Sequence, residues 1–212
     1  TKVTGAYCIV AMAKDRLVAA RDPFGFRPLS LGKTASGYCV ASETCAFDLI
    51  GAEYLREIKP GEILTIDKDN KMTSSYLPKA PRQARCVFEF IYFSRPDSMI
   101  FGANCDKIRR EMGRELARED HFKEADLVMS VPDSSNTAAL GYSQQSGIPF
   151  DFGLIRNHYV GRTFIKPSQG DRELSVRLKF NPVKGVIRDK RIILVDDSIV
   201  RGTTLKRLIR FL

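Results

Sequence analysis

The stretch RIILVDDSIVRGTT, residues 191–204, decides the fold. Four consecutive apolar residues, Ile192 to Val195, run into two adjacent carboxylates, Asp196 and Asp197. Ser198, Ile199, Val200, Arg201, Gly202, Thr203 and Thr204 follow. An apolar run of this length reads as a strand of a parallel sheet covered on both faces. From about Thr204 onward the chain reads as a helix. A strand feeding a helix through a polar loop puts that loop at the carboxyl edge of the sheet, where open α/β sheets bind ligands. Free backbone N–H groups, threonine hydroxyls and a helix dipole suit a phosphate there, and Gly202 lets the backbone approach it. Two carboxylates repel phosphate, so Asp196 and Asp197 need another task. They accept hydrogen bonds from sugar hydroxyls or hold Mg²⁺, which prefers oxygen ligands. Hydroxyls beside a phosphate describe a ribose 5-phosphate.

Working outward, the stretch VPDSSNTAALG, residues 131–141, repeats the arrangement: a strand end, a loop of small polar residues, a helix start. Asp133, Ser134 and Ser135 form the expected loop, a second anion site at a helix N-terminus. Residues 156–179 are long, basic and broken by Gly and Pro, carrying Arg156, Arg162, Lys166, Arg172, Arg177 and Lys179. A long irregular segment of this kind is expected to serve as a lid that neutralises a bound polyphosphate on closing. The competing reading of each feature is bland: an acidic turn, a capped helix start, a solvated loop.

The 212 residues carry a formal charge of +9, most of it in the last third. Residues 151–212 hold 14 Lys and Arg against 6 Asp and Glu, whereas the first 150 are nearly neutral. The last third therefore favours an anionic partner, a nucleic acid or a small polyphosphate. No nucleic-acid module is visible, and no apolar run approaches the roughly 20 residues of a membrane span. The five cysteines, Cys8, Cys39, Cys45, Cys86 and Cys105, form no C-x-x-C pair. Their odd number and scattered spacing predict reduced thiols and a cytoplasmic location. Cys8 and Cys39 are expected to be buried as small apolar residues.

Residues 5–77 read as short antiparallel strands with one helix, TCAFDLIG, among them. LPKAPRQA, with Pro78 and Pro81, reads as a linker, placing domains at 1–80 and 81–212. In CDKIRREMGRELARED, Ile108, Met112 and Leu116 share a helical face, with Asp106 as the expected cap. Both termini read as cut from a longer protein.

The 191–204 stretch resembles the phosphoribosylpyrophosphate (PRPP) motif of type I phosphoribosyltransferases. RNHYVGRTFI and FEFIYFSRPDS narrow the resemblance to glutamine PRPP amidotransferases, and ARDPFGFRPLSLG and YCVASETCAFD resemble the later part of a class II glutaminase, an N-terminal-nucleophile fold. The fold this implies is α+β followed by α/β: the C-terminal part of an Ntn-hydrolase domain, then a type I phosphoribosyltransferase domain with a parallel sheet.

The family reaction converts PRPP, glutamine and water to phosphoribosylamine, pyrophosphate and glutamate, the first step of de novo purine synthesis. The resemblance implies that Asp196 and Asp197 bind ribose hydroxyls and Mg²⁺ with Ser134 near the metal. It implies that Ser198 and the run from Arg201 through Gly202 and Thr203 to Thr204 hold PRPP at its 5-phosphate end, and that Asp133 to Ser135 take the pyrophosphate. Tyr159, Arg162 and their neighbours would close the lid, Arg156 would contact a purine nucleotide inhibitor, and glutamine-derived ammonia would be the second substrate. In such families a non-proline cis peptide often sits in the pyrophosphate loop. A homo-oligomer is expected.

The N-terminal Cys nucleophile and the Asn-Gly oxyanion element of the glutaminases have no counterpart in this sequence, so no glutaminase activity is expected of it alone. Arg21 and Asp22 read as scaffold. Cys86 has two readings, one ligand of a [4Fe–4S] cluster or a buried structural thiol. Two other functions stay open: a different type I phosphoribosyltransferase, or a non-catalytic regulator that binds PRPP or a purine nucleotide.

Overall fold

Period-two apolar patterning over residues 8–76 builds two antiparallel sheets, as expected of alternating side chains with one buried face. The computed structural model describes residues 3–120, 124–157 and 178–212, the side chains of Thr203 and Thr204 excepted. One sheet joins β1 (Cys8–Ala13), β2 (Arg16–Arg21), β6 (Glu62–Asp67) and β7 (Met72–Tyr76) in that order. The other has β3 (Ser30–Thr34) between β4 (Gly37–Ala41) and β5 (Glu53–Glu57), with α1 (Cys45–Ile50) connecting β4 to β5. Ala19 of β2, Leu31 of β3 and Leu64 and Ile66 of β6 meet in one buried core with Leu29 and Ile58. Strand β5 is absent from the sequence reading. Its two apolar residues, Tyr54 and Leu55, are neighbours and so fall on opposite faces, which erases the alternation.

Burial in β6 alternates through Glu62, Leu64 and Ile66, and the first of these is a carboxylate. Glu62 is fully buried and fully partnered. Arg56 donates to both its oxygens at 2.7 and 2.8 Å, the Ser74 hydroxyl at 2.7 Å and the Lys59 N–H at 2.8 Å. Burial alone would raise its pKa. The donors outweigh burial and pull it down to about 2. Arg21 is also fully buried and bonds the Ile58 and Gly25 carbonyls, and Asp22 accepts the Phe24 N–H, so both act as scaffold.

The chain divides into two compact units at 106/107, Thr1–Asp106 and Lys107–Leu212, later than the proline-marked boundary at 80/81. Hydrogen bonding explains the difference. After the linker, the N–H groups of Ala84 and Cys86 bond the carbonyls of Phe24 and Phe26. Arg27 pairs with Glu89 at 2.7 Å, at the head of a π-helical turn, Glu89–Phe93. Glu43 accepts from the Arg95 N–H and the Ser98 hydroxyl, ahead of a tight hairpin of β8 (Met99–Ile100) and β9 (Ala103–Asn104). Prolines mark a change of local conformation, not the point where contacts stop.

In the second unit, β10 (Leu127–Ser130) and β13 (Ile192–Val195) pair in parallel, with Phe150 bridging Val128 on the other side. β11 (Leu154–Arg156) and β12 (Phe180–Pro182) pair antiparallel. Successive β10 residues face opposite ways. Val128 packs with Ala139 and Tyr142 of α3 (Asn136–Ser146), while Met129 packs with Ile187 of α4 (Lys184–Ile187) and Leu208 of α5 (Thr203–Phe211). Helices therefore cover both faces, the layered α/β arrangement expected.

Helix α2 (Cys105–Glu119) corrects the sequence reading. Its buried stripe is Cys105, Arg109 and Gly113, and Leu116 is 46% exposed. The reason is a close helix crossing at two glycines. A methyl on Gly113 would lie 1.9 Å from the Ala138 carbonyl oxygen, and one on Gly141 would lie 2.0 Å from that of Arg110. Asp106 lies inside the first turn, where a carboxylate still favours the helix dipole. Cys8 and Cys39 are only half-buried, whereas Cys105 is fully buried.

Two outcomes follow from this packing. Gly141→Ala lowers stability by at least the ~1–3 kcal/mol of an overpacked contact. Gly185→Ala, with nothing within 4 Å of the new carbon, does not. Urea unfolding of both variants of the intact protein checks the contrast. Glu62→Gln loses charge-assisted bonds worth on the order of 1.5–3 kcal/mol at neutral pH. Because the folded pKa is depressed, this stability is present above the unfolded carboxylate pKa and is lost as pH falls toward about 2. Stability measured from pH 7 to pH 2 should therefore show the two proteins converging below about pH 4.5.

Candidate functional site

The register of one strand pair builds the site. Ser130 lies opposite Val195, and the Val131 N–H bonds the Val195 carbonyl at 2.8 Å. The loops leaving these strands, 131–135 and 196–202, therefore emerge side by side from one edge of the sheet. Both predicted anion loops are brought together although more than sixty residues separate them.

Their side chains interlock. The Ser134 hydroxyl donates to Asp197 Oδ2 at 2.5 Å, and the Ser198 hydroxyl donates to Oδ1 at 2.6 Å. Asp196 Oδ1 accepts the Asp197 N–H at 2.9 Å. Burial of Asp196 raises its pKa. The Asp197 N–H opposes that, and the negative charge of Asp197 adds to it. Asp133 follows a cis peptide at Pro132–Asp133 and pairs with Arg156 Nη1 at 3.0 Å. A hollow of about 280 Å³ opens between Asp196, the 198–202 loop and Leu205.

Two helices start at this edge with no side-chain cap, and at α3 the Asn136 N–H turns back to the Asp133 carbonyl at 3.3 Å. Gly202 precedes α5 with φ 66°, a conformation that glycine adopts without a Cβ clash. At the start of α3, the Ser135 hydroxyl is buried without a protein partner. The structure also supplies residues that the sequence reading missed. Ser130, the last residue of β10, donates to Asn136 Oδ1 at 2.6 Å across the mouth of the loop. A Ser at a strand end and an Asn six residues on, at a helix start, is the signal that would have found them.

Of the predicted site, Ser134, Asp196, Asp197 and Ser198 are joined directly or through one another, while Asp133 pairs with Arg156. Arg201 is exposed on the rim of the hollow. Thr203 and Thr204 contribute backbone at the start of α5. Lys179 is exposed, and its carbonyl accepts the Asn157 N–H at 2.8 Å. Tyr159, Arg162, Lys166, Arg172 and Arg177 lie outside the described residues.

The oxygen donors of Asp196, Asp197 and Ser134 suit Mg²⁺, which is typically held by one or two carboxylates with the rest supplied by substrate phosphates and water. A [4Fe–4S] cluster needs four thiolates as a rule. Among the described residues no three His, Cys, Asp or Glu converge on a metal position, and half-buried Cys86 stands as a single thiol.

The chain is 53% identical over 210 residues to amidophosphoribosyltransferase of Mycobacterium tuberculosis, covering 99% of this chain and 39% of that one. It is 53% identical over 213 residues to chloroplastic amidophosphoribosyltransferase 1 of Arabidopsis thaliana, covering all of this chain and 37% of that one. For the Bacillus subtilis amidophosphoribosyltransferase the values are 51% over 208 residues, 98% of this chain and 43% of that one. The solved glutamine PRPP amidotransferase of B. subtilis, complexed with ADP and GMP, superposes with a TM-score of 0.88 at 51% identity. That match covers 97% of this chain and 45% of the other. The chain thus spans about two fifths of the length of the curated relatives it matches. No family model matches it.

The electrostatics of Asp196 predict an opposition between stability and site chemistry. Its raised pKa means its contribution to stability is present below the unfolded carboxylate pKa and is lost as pH rises through the folded pKa. At neutral pH the ionised carboxylate is therefore a net cost, and Asp196→Asn should raise the thermal unfolding midpoint. The gain should shrink as pH falls through the folded pKa of Asp196, as the native carboxyl becomes neutral like the amide.

Proposed function

We infer that this chain, which belongs with the amidophosphoribosyltransferases over a stretch of about two fifths of their length, supplies the PRPP site of such an enzyme. The whole protein would then form 5-phosphoribosylamine, pyrophosphate and glutamate from PRPP, glutamine and water. The observation that carries this reading is the joined pair of loops at one sheet edge, coupled by Ser134 on Asp197. In this reading residues 1–80 are the later part of a glutaminase domain and residues 81–212 part of a phosphoribosyltransferase domain. The tethering of 81–106 described above is a matter of packing and leaves that assignment of ancestry intact.

The chemistry assigned to the site is a displacement at ribose C1. Ammonia forms the new C–N bond with its lone pair, the C–O bond to pyrophosphate breaks, and the leaving group takes that electron pair. Proton transfer contributes little to such a step, so the work is orientation and charge stabilisation. Asp196 and Asp197 orient the ribose by accepting from its 2- and 3-hydroxyls. The 201–204 backbone at the start of α5 holds the 5-phosphate. The 133–135 loop and the uncapped start of α3 hold the pyrophosphate. When Mg²⁺ is bound, Asp196, Asp197 and Ser134 would hold it, and it would neutralise charge on the departing pyrophosphate. Purine nucleotides, which carry the same ribose and phosphate, compete for this site, with Arg156 beside it. A homo-oligomer belongs to the same reading of the whole protein, and Cys86 keeps two roles in it, one ligand of a [4Fe–4S] cluster or a structural thiol.

Calorimetric titration of the intact protein with PRPP tests the assignment. Mg²⁺-dependent binding that changes little between 50 and 200 mM salt is expected. Replacing Asp196 and Asp197 together by Asn should abolish it without lowering the unfolding midpoint. Unchanged affinity in the double variant would remove the ribose role. Steeply salt-dependent binding of duplex DNA, in place of PRPP binding, would favour the regulator.

A further inference from the structure

The geometry points to Asn136 as a further binding residue for the diphosphate end of the ligand, oriented by Ser130. This inference rests on the PRPP reading of the site and adds to it a residue and a mechanism of orientation.

The Ser130 side chain is buried at 4% exposure, and its hydroxyl proton is directed at Asn136 Oδ1, 2.6 Å away. A carboxamide has one acceptor arm and one donor arm. With its oxygen engaged by Ser130, the Asn136 side chain holds its NH₂ on the opposite arm. That NH₂ has no protein acceptor among the described residues, and it is not among the buried unpartnered atoms. It is an accessible pair of donors in a fixed orientation.

Its position gives the donors a purpose. Asn136 is the first residue of α3, directly after the Asp133–Ser135 loop. Ser135 does not cap that helix, and its own hydroxyl is buried with no partner at 1% exposure. A buried hydroxyl without a protein partner is uncommon in a folded chain, and this one lies in the same loop as the Asn136 donors. Unlike a threonine or serine at this position, whose hydroxyl would turn freely, an asparagine braced by Ser130 donates in one direction only. The loop it borders contains Asp133, a negative charge already neutralised by Arg156. A neutral donor at 136 therefore adds hydrogen bonds to a phosphate without needing another counter-ion.

The informative variant is Asn136→Asp. Its carboxylate still accepts from Ser130, and an acid in the first helical turn favours the dipole, so the fold is retained. Only the donor arm is exchanged, for a repelling oxygen. In the intact protein with Mg²⁺, inorganic pyrophosphate and ribose 5-phosphate are titrated separately. Asn136→Asp should weaken pyrophosphate at least tenfold, leave ribose 5-phosphate within twofold and keep the unfolding midpoint at or above the unsubstituted value. Ser130→Ala, which frees the carboxamide to rotate, should weaken pyrophosphate by a smaller factor, again without touching ribose 5-phosphate. Unchanged pyrophosphate affinity in Asn136→Asp overturns the inference. Equal loss of both probes also overturns it, because a general disturbance of the sheet edge would then be responsible. If the unsubstituted protein binds neither probe, the PRPP reading itself falls, and this inference with it.

Discussion

Everything assigned to the second unit depends on the parallel pairing of β10 with β13. Strand side chains alternate, so a register slip of one residue would turn every following side chain to the other face. Here Ser130 lies opposite Val195, and the next main-chain bond joins Val131 to Val195. With that register, Ser134 reaches Asp197 and the loops that lead into the two helices leave the same edge of the sheet. The register is held from both faces. Val128 is committed to the α3 side and Met129 to the α4 and α5 side, so neither can move without vacating a core. The Gly113–Gly141 crossing then lets α2 lie against α3 at backbone contact.

The site resolves an electrostatic contradiction by sharing out its charges. Proposed to bind a polyphosphate, it is nevertheless built around three carboxylates. Asp133 is balanced by Arg156. Asp197 is held by two hydroxyls, which donate without adding charge. Asp196 alone stays half-buried with a single backbone donor, and its raised pKa records the cost. Strain of this kind at one residue is what a binding site tolerates when the rest of the fold is well packed. Glu62 in the first unit shows the opposite solution. A carboxylate with no ligand to meet is buried completely and given four donors.

How much was legible beforehand varies with the physics. The order of residues 191–204 announces strand, acidic turn and helix because each local preference points the same way. The loop at 133–135 is legible for the same reason. Strand β5 is not, because Tyr54 and Leu55 are adjacent. The face of α2 is misread because period alone marks Ile108, Met112 and Leu116, while the decisive contact is made by a glycine, which carries no hydrophobic signal. The boundary at the prolines is displaced because Arg27–Glu89 and the bonds to Glu43 join residues more than fifty positions apart.

By itself, then, the sequence determined the local grammar: most of the strands and helices, the small polar loops between a strand end and a helix start, and which family this stretch of chain resembles. Those are properties of neighbours along the chain, where propensity, turn chemistry and charge act within a few residues. Only the tertiary structure decided which side chain answers which. That Ser134 serves Asp197, that Arg156 offsets Asp133, and that Ser130 aims Asn136 follow from strand register and helix crossing, set by the packing of both sheet faces at once. No local pattern encodes a distance across the fold.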